Sequence, residues 1–248
     1  MARLTSAAEI RSLLRTDPLW SVYALGDLLP DAFAKSKWFA PGLTLVYSDY
    51  GTCILFALGE ESIAEALTHV SWPVHLQVLP RTLELLDRLA VVTRRVAMWR
   101  MGWNGERSGW VDTTRARRLT AADVPALEDL YSDGALSGEA PDFFFPSMVT
   151  AGVFWGVYED RRLVAAAGTH LYAPAEGAVA IGNVYVHRQW RRRGLGKLVT
   201  CAVLRAVAES ETVGLNVRMD NAAAVRVYES LGFRKHCGFF EALATAGR

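Results

Sequence analysis

The sequence has few of the features that would place it outside the ordinary globular class. Its three cysteines, Cys53, Cys201 and Cys237, are too few and too scattered for a disulfide framework, and no Cys-x-x-Cys pair indicates a zinc site. No uncharged apolar run reaches the ~18 to 20 residues that a membrane-spanning helix needs. The start of the chain has no apolar signal-peptide core. We therefore expect a cytoplasmic protein with no metal site and no membrane partner.

An excess of charge of one sign is also lacking. The 27 Lys and Arg residues are balanced by 26 Asp and Glu residues, which leaves a formal net charge of +1 and no overall attraction to nucleic acid. Because 51% of the 248 residues are hydrophobic and 21% are charged, the chain can bury a real core. This length allows two domains of roughly 100 to 150 residues each.

Helix-type and strand-type patterns alternate along both halves of the chain. The polar, glycine-containing stretch 104–109 is the best candidate linker, and it places a domain boundary near residue 110. In the first half, the pattern predicts two short helices ending at Pro30, a hairpin around 48–51, and a helix that Pro80 begins. The second half repeats a similar order of elements, so we infer a weak internal repeat of pattern.

A run of arginines and glycines connects a predicted strand to a predicted helix in the second half. The strand ends at Val186, and the helix has one apolar stripe that begins at Leu195. Glycines at 194 and 196 let a ligand approach the backbone, and the first turn of a helix offers unpaired amides and a partial positive charge. This predicts a pyrophosphate site, with a solvated surface turn or a nucleic-acid phosphate contact as the alternatives.

A second motif lies downstream, between Asn216 and Phe233. Together the two motifs resemble the GNAT superfamily of acyl-CoA-dependent N-acyltransferases over roughly residues 115–243. The positions that match this family in order are Arg191, Gly194, Gly196, Asn221, Ala224, Tyr228, Gly232 and Phe233.

The resemblance implies an α/β (α+β) fold with a mixed, mostly antiparallel sheet flanked by helices and splayed at its middle strand. Two such domains are expected in tandem. Residues 111–248 would form the catalytic domain with acetyl-CoA as co-substrate, and residues 1–110 a degenerate copy without a CoA cradle. The position in the first half that corresponds to the phosphate loop has two carboxylates, Glu60 and Glu61, where the cradle would need positive charge.

The resemblance also assigns roles to individual residues. Asn221 would contact the pantetheine arm or cap its helix, and Tyr228 would act as general acid, unless it is a packed core aromatic. The cofactor residues fall in three groups: backbone groups of Val184, Tyr185 and Val186 along the pantetheine, amides of Arg192, Arg193, Gly194, Leu195, Gly196 and Lys197 around the pyrophosphate, and Arg191, which adds charge.

The general base is left open by the sequence. Many relatives use a glutamate on the strand before the phosphate loop, but residues 178–186 contain no carboxylate. Glu176 and His170 are the candidate residues, although each is expected to be a surface residue. A water chain is another candidate base, and the amine could also arrive already neutral. His187 is expected to be an exposed loop residue. Because Cys201 and Cys237 have no evident activating partners, direct attack of the amine is favoured over an acyl-enzyme.

The resulting hypothesis is an N-acetyltransferase that acts on a primary amine of a small molecule or peptide. The alternative is a CoA-binding sensor or regulatory module without catalysis, which the missing carboxylate favours and the retained Tyr228 disfavours. Binding of nucleic acid through the arginine run is a third interpretation, and the near-neutral charge argues against it. The sequence does not specify the acceptor, and it leaves open whether the protein is a homodimer.

Overall fold

The computed structural model describes residues 2–49, 51–135, 137–141 and 143–247. They form two compact units. The first unit comprises Met1–Met101, Val217–Asn221 and Lys235–Arg248, and the second comprises Gly102–Asn216 and Ala222–Arg234. The last strand of the chain is therefore counted with the N-terminal residues. That residues 1–110 and 111–248 fold as separate domains stays a prediction.

The first unit begins with short helices and continues with strands. Its elements are β1 Ala2–Leu4, α1 Ala7–Leu14, α2 Val22–Gly26, α3 Pro30–Phe33, β2 Ser36–Ala40, β3 Thr44–Asp49, β4 Thr52–Ala57, α4 Ile63–Leu67, β5 Val74–Val78, α5 Pro80–Leu89 and β6 Ala90–Trp103, of which the last two residues belong to the second unit. The predicted hairpin is confirmed, because β3 and β4 pair antiparallel. The predicted start of a helix at Pro80 is confirmed as well, since proline suits the first helical position.

The second unit contains the segment with the arginine and glycine run. Its elements are β7 Arg117–Arg118, α6 Val124–Ala135, α7 Ser147–Ala151, β8 Phe154–Glu159, β9 Arg162–Ala173, β10 Ala178–Val186, α8 Leu195–Val207, β11 Thr212–Arg218 and α9 Ala222–Glu229, followed by β12 Phe233–Ala246. The last two residues of β11, and β12 from Lys235 onward, are counted with the first unit. Thr120 and Asp123 form a capping box at the turn before α6.

The strand orders of the two units follow the same plan. In the first unit the order is β1-β2-β3-β4-β5-β12-β6, and β4 pairs with β5 in parallel. In the second unit the order is β11-β10-β9-β8-β7, and β10 pairs with β11 in parallel. The other pairs β1/β2, β2/β3, β3/β4, β5/β12, β7/β8, β8/β9 and β9/β10 are antiparallel. The expected mixed, mostly antiparallel sheet flanked by helices is thus confirmed.

Apolar residues explain how the helices of the second unit dock. On one face, Leu127 and Tyr131 of α6 pack with Phe154, Ala166 and Tyr185 of the strands. The predicted stripe of α8 is buried at Leu195, Leu198, Val199 and Ala202. Ala206, which the pattern also assigned to this stripe, is exposed near the end of the helix. In the first unit a separate core forms around β4, β5 and α5.

Several local predictions were wrong or incomplete. Pro30 was expected to stop a helix, but it begins α3, because proline is as compatible with the first position of a helix as with its end. Strands β1 and β2 and helix α7 were not predicted, since each is only three to five residues long. Among the described residues no helix is long and apolar enough to cross a membrane.

Candidate functional site

The site begins where two parallel strands separate. Strand β10 pairs with β11 from Ala178 opposite Thr212 to Ile181 opposite Leu215, and β10 then continues alone on that side to Val186. On its other side β10 stays paired with β9 through Val186. Backbone groups of β10 beyond Ile181 therefore have no ladder partner on β11. This is the splay that the sequence led us to expect at Val184, Tyr185 and Val186.

A β-bulge lies at the beginning of this splay. The register with β9 jumps from Gly182 opposite Gly168 to Tyr185 opposite Ala166, and Asn183 has a positive φ of 52°. The Tyr131 hydroxyl donates to the Asn183 carbonyl oxygen at 2.9 Å. Burial raises the pKa of Tyr131, which keeps this hydroxyl protonated. The bulge bends β10 where it leaves β11.

The loop between β10 and α8 has the geometry of an anion-binding nest. Arg192 has φ 62° and Gly194 has φ 73°, and Gly194 directly precedes the first turn of α8, which has no side-chain cap. A Cβ placed on Gly194 would meet nothing within 4 Å, and one on Gly196 would meet only Val186 Cγ2 at 3.6 Å. The approach to the first turn of α8 over these two glycines is therefore open, as a bound anion requires.

The three arginines of the loop are in different situations. Arg191 donates to Glu139 at 2.9 and 3.2 Å and to the Val186 carbonyl oxygen at 3.3 Å, so it fastens the loop to the protein. Its hydrogen bonds with Glu139 raise the pKa of Arg191. Arg193 lies over the Trp190 ring at 4.5 Å, and both Arg192 and Arg193 are exposed. The two exposed guanidinium groups are thus placed to add charge at the nest.

Asp133 anchors the beginning of the loop. Its carboxylate accepts hydrogen bonds from the Tyr185 hydroxyl at 2.9 Å, the Arg188 amide at 2.9 Å and Arg188 Nε at 3.1 Å. Burial raises the pKa of Asp133, but these hydrogen bonds and the nearby His187 outweigh it and lower the pKa to about 2. His187 Nε2 lies 3.4 Å from the same carboxylate and is buried, so the expectation of an exposed His187 was wrong.

Sequence reasoning missed Asp133. One signal was available, because an acidic residue in the last turn of α6 opposes the helix dipole and therefore suggests another use for its charge.

Tyr228 is on α9, with its ring against Phe233 at a centroid distance of 6.1 Å. Burial raises its pKa to about 12, and its hydroxyl makes no hydrogen bond to any described residue. A protonated phenol with an unused donor fits a general acid. Asn221 is exposed and directly precedes α9, which is compatible with both a cap and a ligand contact.

The candidate bases and nucleophiles are placed very differently. Glu176 lies two residues before the start of β10, roughly 20 Å from Asn183 along the direction of the strand. It is buried, so the expectation of a surface residue was wrong. His170 lies beside Gly182, at the splay. Cys201 is buried in α8, and burial raises the pKa of Cys237 to about 11, which disfavours the thiolate that covalent catalysis needs. Within the described part of the chain, no group of three His, Cys, Asp or Glu side chains is arranged to hold a metal.

The aromatic residues of both units divide between core and surface. In the first unit Trp20 and Trp38 are buried, whereas Trp72 is 37% exposed. In the second unit Phe144 packs against Tyr131 at a centroid distance of 5.1 Å, and Phe145 is exposed.

The corresponding loop of the first unit is closed. The pairing of β4 with β5 runs to Phe56 opposite Gln77, next to the last residue of each strand. Trp20 Nε1 donates to the carbonyl oxygen of Ala57, the last residue of β4, at 3.0 Å. After β4, Glu61 folds back so that a Cβ on Gly59 would lie 2.7 Å from its Oε2.

Known proteins share both the sequence pattern and the fold. Residues 123–233 match the model of a family described as acetyltransferase (GNAT). Over 120 residues the chain is 37% identical to a mycothiol acetyltransferase of Nocardiopsis dassonvillei, a match that covers 45% of this chain and 35% of that protein. The matched region thus spans about a third of the relative's length.

Two solved structures have a similar fold. One is a GNAT-family protein from Novosphingobium aromaticivorans, with a TM-score of 0.64 and 22% identity over 93% of this chain and 97% of that chain. The other is a tandem GNAT protein from the clavulanic acid biosynthesis pathway, with a TM-score of 0.57 and 14% identity over 100% and 99% of the two chains. At these identities the likeness establishes the fold alone.

Proposed function

We propose that this chain, whose residues 123–233 match the acetyltransferase (GNAT) family, transfers an acetyl group from acetyl-CoA to a primary amine. The observation that carries the proposal is the separation of β10 from β11 after Ile181, which continues into the open nest before α8. An extended chain that ends in a pyrophosphate matches these two features in order. Pantetheine attached to a nucleotide has this chemistry.

The residues that would hold acetyl-CoA follow from this arrangement. Backbone groups of Val184, Tyr185 and Val186 hydrogen-bond the pantetheine amides as an added strand would. The amides from Arg192 to Lys197 bind the pyrophosphate, and the exposed guanidinium groups of Arg192 and Arg193 add charge. Arg191 contributes by fixing the loop through Glu139, and Asn221 either contacts the pantetheine or caps α9.

Tyr228 is proposed as the general acid of the reaction. The amine attacks the thioester carbonyl carbon directly, and the Tyr228 hydroxyl donates a proton to the sulfur as the C–S bond breaks. The Tyr228 hydroxyl is protonated at neutral pH, as a general acid requires.

We further propose that the first half of the chain binds no CoA. In the loop after β4, the Glu61 carboxylate lies against Gly59, where a phosphate would be repelled. Residues 111–248 therefore carry the cofactor site, and residues 1–110 are a degenerate copy.

For the acceptor we propose a small molecule in preference to a peptide. The relative from Nocardiopsis dassonvillei is named for acetylation of mycothiol, a small molecule. The identity of the acceptor in this chain is to be found with a panel of primary amines.

Calorimetric titration of acetyl-CoA tests the proposal. The best variant is Gly196→Glu, because Gly196 lies inside α8 with ordinary helical geometry, whereas Gly194 has φ 73° and any replacement there is also strained. Ala206→Glu adds the same charge at an exposed position roughly 15 Å away along the same helix and is the matched control.

We expect wild type and Ala206→Glu to bind equally and Gly196→Glu to bind at least tenfold more weakly. Absence of binding to wild type would refute the function, and equal binding by Gly196→Glu would refute the position of the pyrophosphate. Binding without acetylation of any amine would favour the sensor.

A further inference from the structure

The proton of the attacking amine needs an acceptor, and β10 offers no carboxylate. The neighbouring strand β9 has a histidine next to the point where β10 separates from β11. Ala180 of β10 lies opposite Leu171 of β9, but Ile181 lies opposite Thr169. The register therefore shifts by one residue, and the extra residue is His170. A bulge disrupts the strand ladder locally, and bulges commonly redirect a side chain next to an active site.

The ring of His170 lies against β10 because residue 182 is glycine. A Cβ on Gly182 would lie 2.8 Å from the His170 Cβ, 3.4 Å from its Cγ and 3.5 Å from its Nδ1. Any larger residue at 182 would have to displace the imidazole. The space for this ring is therefore made by the sequence of β10 itself.

Gly182 is also the first residue of β10 beyond its pairing with β11. The nest lies at the other end of this free segment, after Val186. When the backbone of 184–186 holds the pantetheine and the nest holds the pyrophosphate, the thioester end is directed towards Gly182. The imidazole of His170 and the acetyl group would then meet at the same place.

We propose that His170 is the general base of this enzyme, an inference that rests on the proposed acetyl transfer. The amine nitrogen forms the bond to the carbonyl carbon, the C–S bond breaks, His170 takes the proton from nitrogen and Tyr228 gives a proton to sulfur. Imidazole suits this role near neutral pH. His170 thus replaces, from the adjacent strand, the carboxylate that is missing from β10.

Steady-state kinetics with a primary amine that wild type acetylates tests the inference. His170→Ala should lower kcat/KM about 100-fold, with acetyl-CoA affinity within twofold of wild type by calorimetry. Added imidazole should restore part of the rate to His170→Ala, which no purely structural role of the residue would allow. His75→Gln, a histidine variant on a strand of the first unit, should behave as wild type.

A readout independent of turnover is the ¹⁵N spectrum of the histidine rings. The signals that are lost in His170→Gln should shift when acetyl-CoA saturates the wild-type protein. An unshifted signal at saturation, or a rate in His170→Ala within threefold of wild type, would overturn the base assignment alone. Failure of wild type to acetylate any amine of the panel would instead remove the proposed function together with the inference.

Discussion

Replacing Asp133 by Asn should weaken both the stability of the protein and its affinity for acetyl-CoA. The Asp133 carboxylate is held by Arg188 and Tyr185, and its pKa falls from 3.8 to about 2. Since each tenfold change in proton affinity corresponds to about 1.4 kcal/mol, the ionised form contributes about 2 kcal/mol to the free energy of unfolding at pH 7. An amide cannot replace it, because its NH₂ group would face donors.

The pH dependence has a definite sign. Because the folded-state pKa is lowered, the stabilisation is complete above about pH 4, where the carboxylate is also ionised in the unfolded chain, and it is lost as the pH falls through about 2. The difference in unfolding free energy between wild type and Asp133→Asn should therefore be constant from pH 5 to 8 and shrink below pH 4. Urea denaturation at a series of pH values measures it.

Asp123 supplies the matched control. Its pKa is also lowered to about 2, through Arg117, Thr120 and Tyr158, and it lies at the other end of the helical segment that contains Asp133. Asp123→Asn should cost a similar amount of stability and leave acetyl-CoA binding unchanged, whereas Asp133→Asn should weaken binding severalfold because the loop loses its anchor. Equal loss of binding in both variants, or a wild-type urea midpoint for Asp133→Asn, would refute the reasoning.

Four further changes test individual groups. Tyr228→Phe should lower turnover severalfold or more with acetyl-CoA affinity nearly unchanged; unchanged turnover would exclude it as the general acid. Gly182→Ala should displace the His170 ring and lower kcat at least tenfold while far-UV circular dichroism stays the same. Burial raises the Asp27 pKa from 3.8 to about 7, so the folded state loses stability as the pH rises between these values. Asp27→Asn should therefore raise the free energy of unfolding above pH 7 by no more than about 4 kcal/mol and have no effect below pH 4. The buried Arg100 guanidinium lies over three aromatic rings at 4.7 to 5.3 Å, and an ammonium cannot stack in this way. Arg100→Lys should therefore lower the free energy of unfolding, measured by urea denaturation, by about 1–2 kcal/mol.

The sequence was sufficient for features that depend on neighbouring residues. The strand, the arginine and glycine run and the amphipathic α8 are contiguous, so their periodicity and turn chemistry predict them directly. The bulges at His170 and Asn183 are different, because they arise from the register between β9 and β10, which no single segment encodes. Asp133 likewise acquires its role only when α6 packs next to Arg188, more than fifty residues later in the chain.

A comparison of the two strand-to-helix loops indicates why a glycine-containing loop is not by itself a phosphate site. In the first unit the glycine at 59 is followed by Glu61, whose carboxylate turns back against the loop, and β4 stays paired almost to its end. In the second unit, Arg192 and Gly194 turn the backbone into a nest, and β10 separates from β11 after Ile181, five residues before its end. Asp133 and Glu139 hold the loop before the nest through Arg188 and Arg191. Anion binding therefore requires three conditions together: a backbone concavity, no internal carboxylate filling it, and an open strand edge leading to it. Glu61→Gln removes the internal carboxylate from the loop of the first unit but creates neither the backbone concavity nor the open strand edge. This variant should therefore still bind one acetyl-CoA per chain. A second binding site in calorimetry would show that the Glu61 charge alone had prevented binding in the first unit.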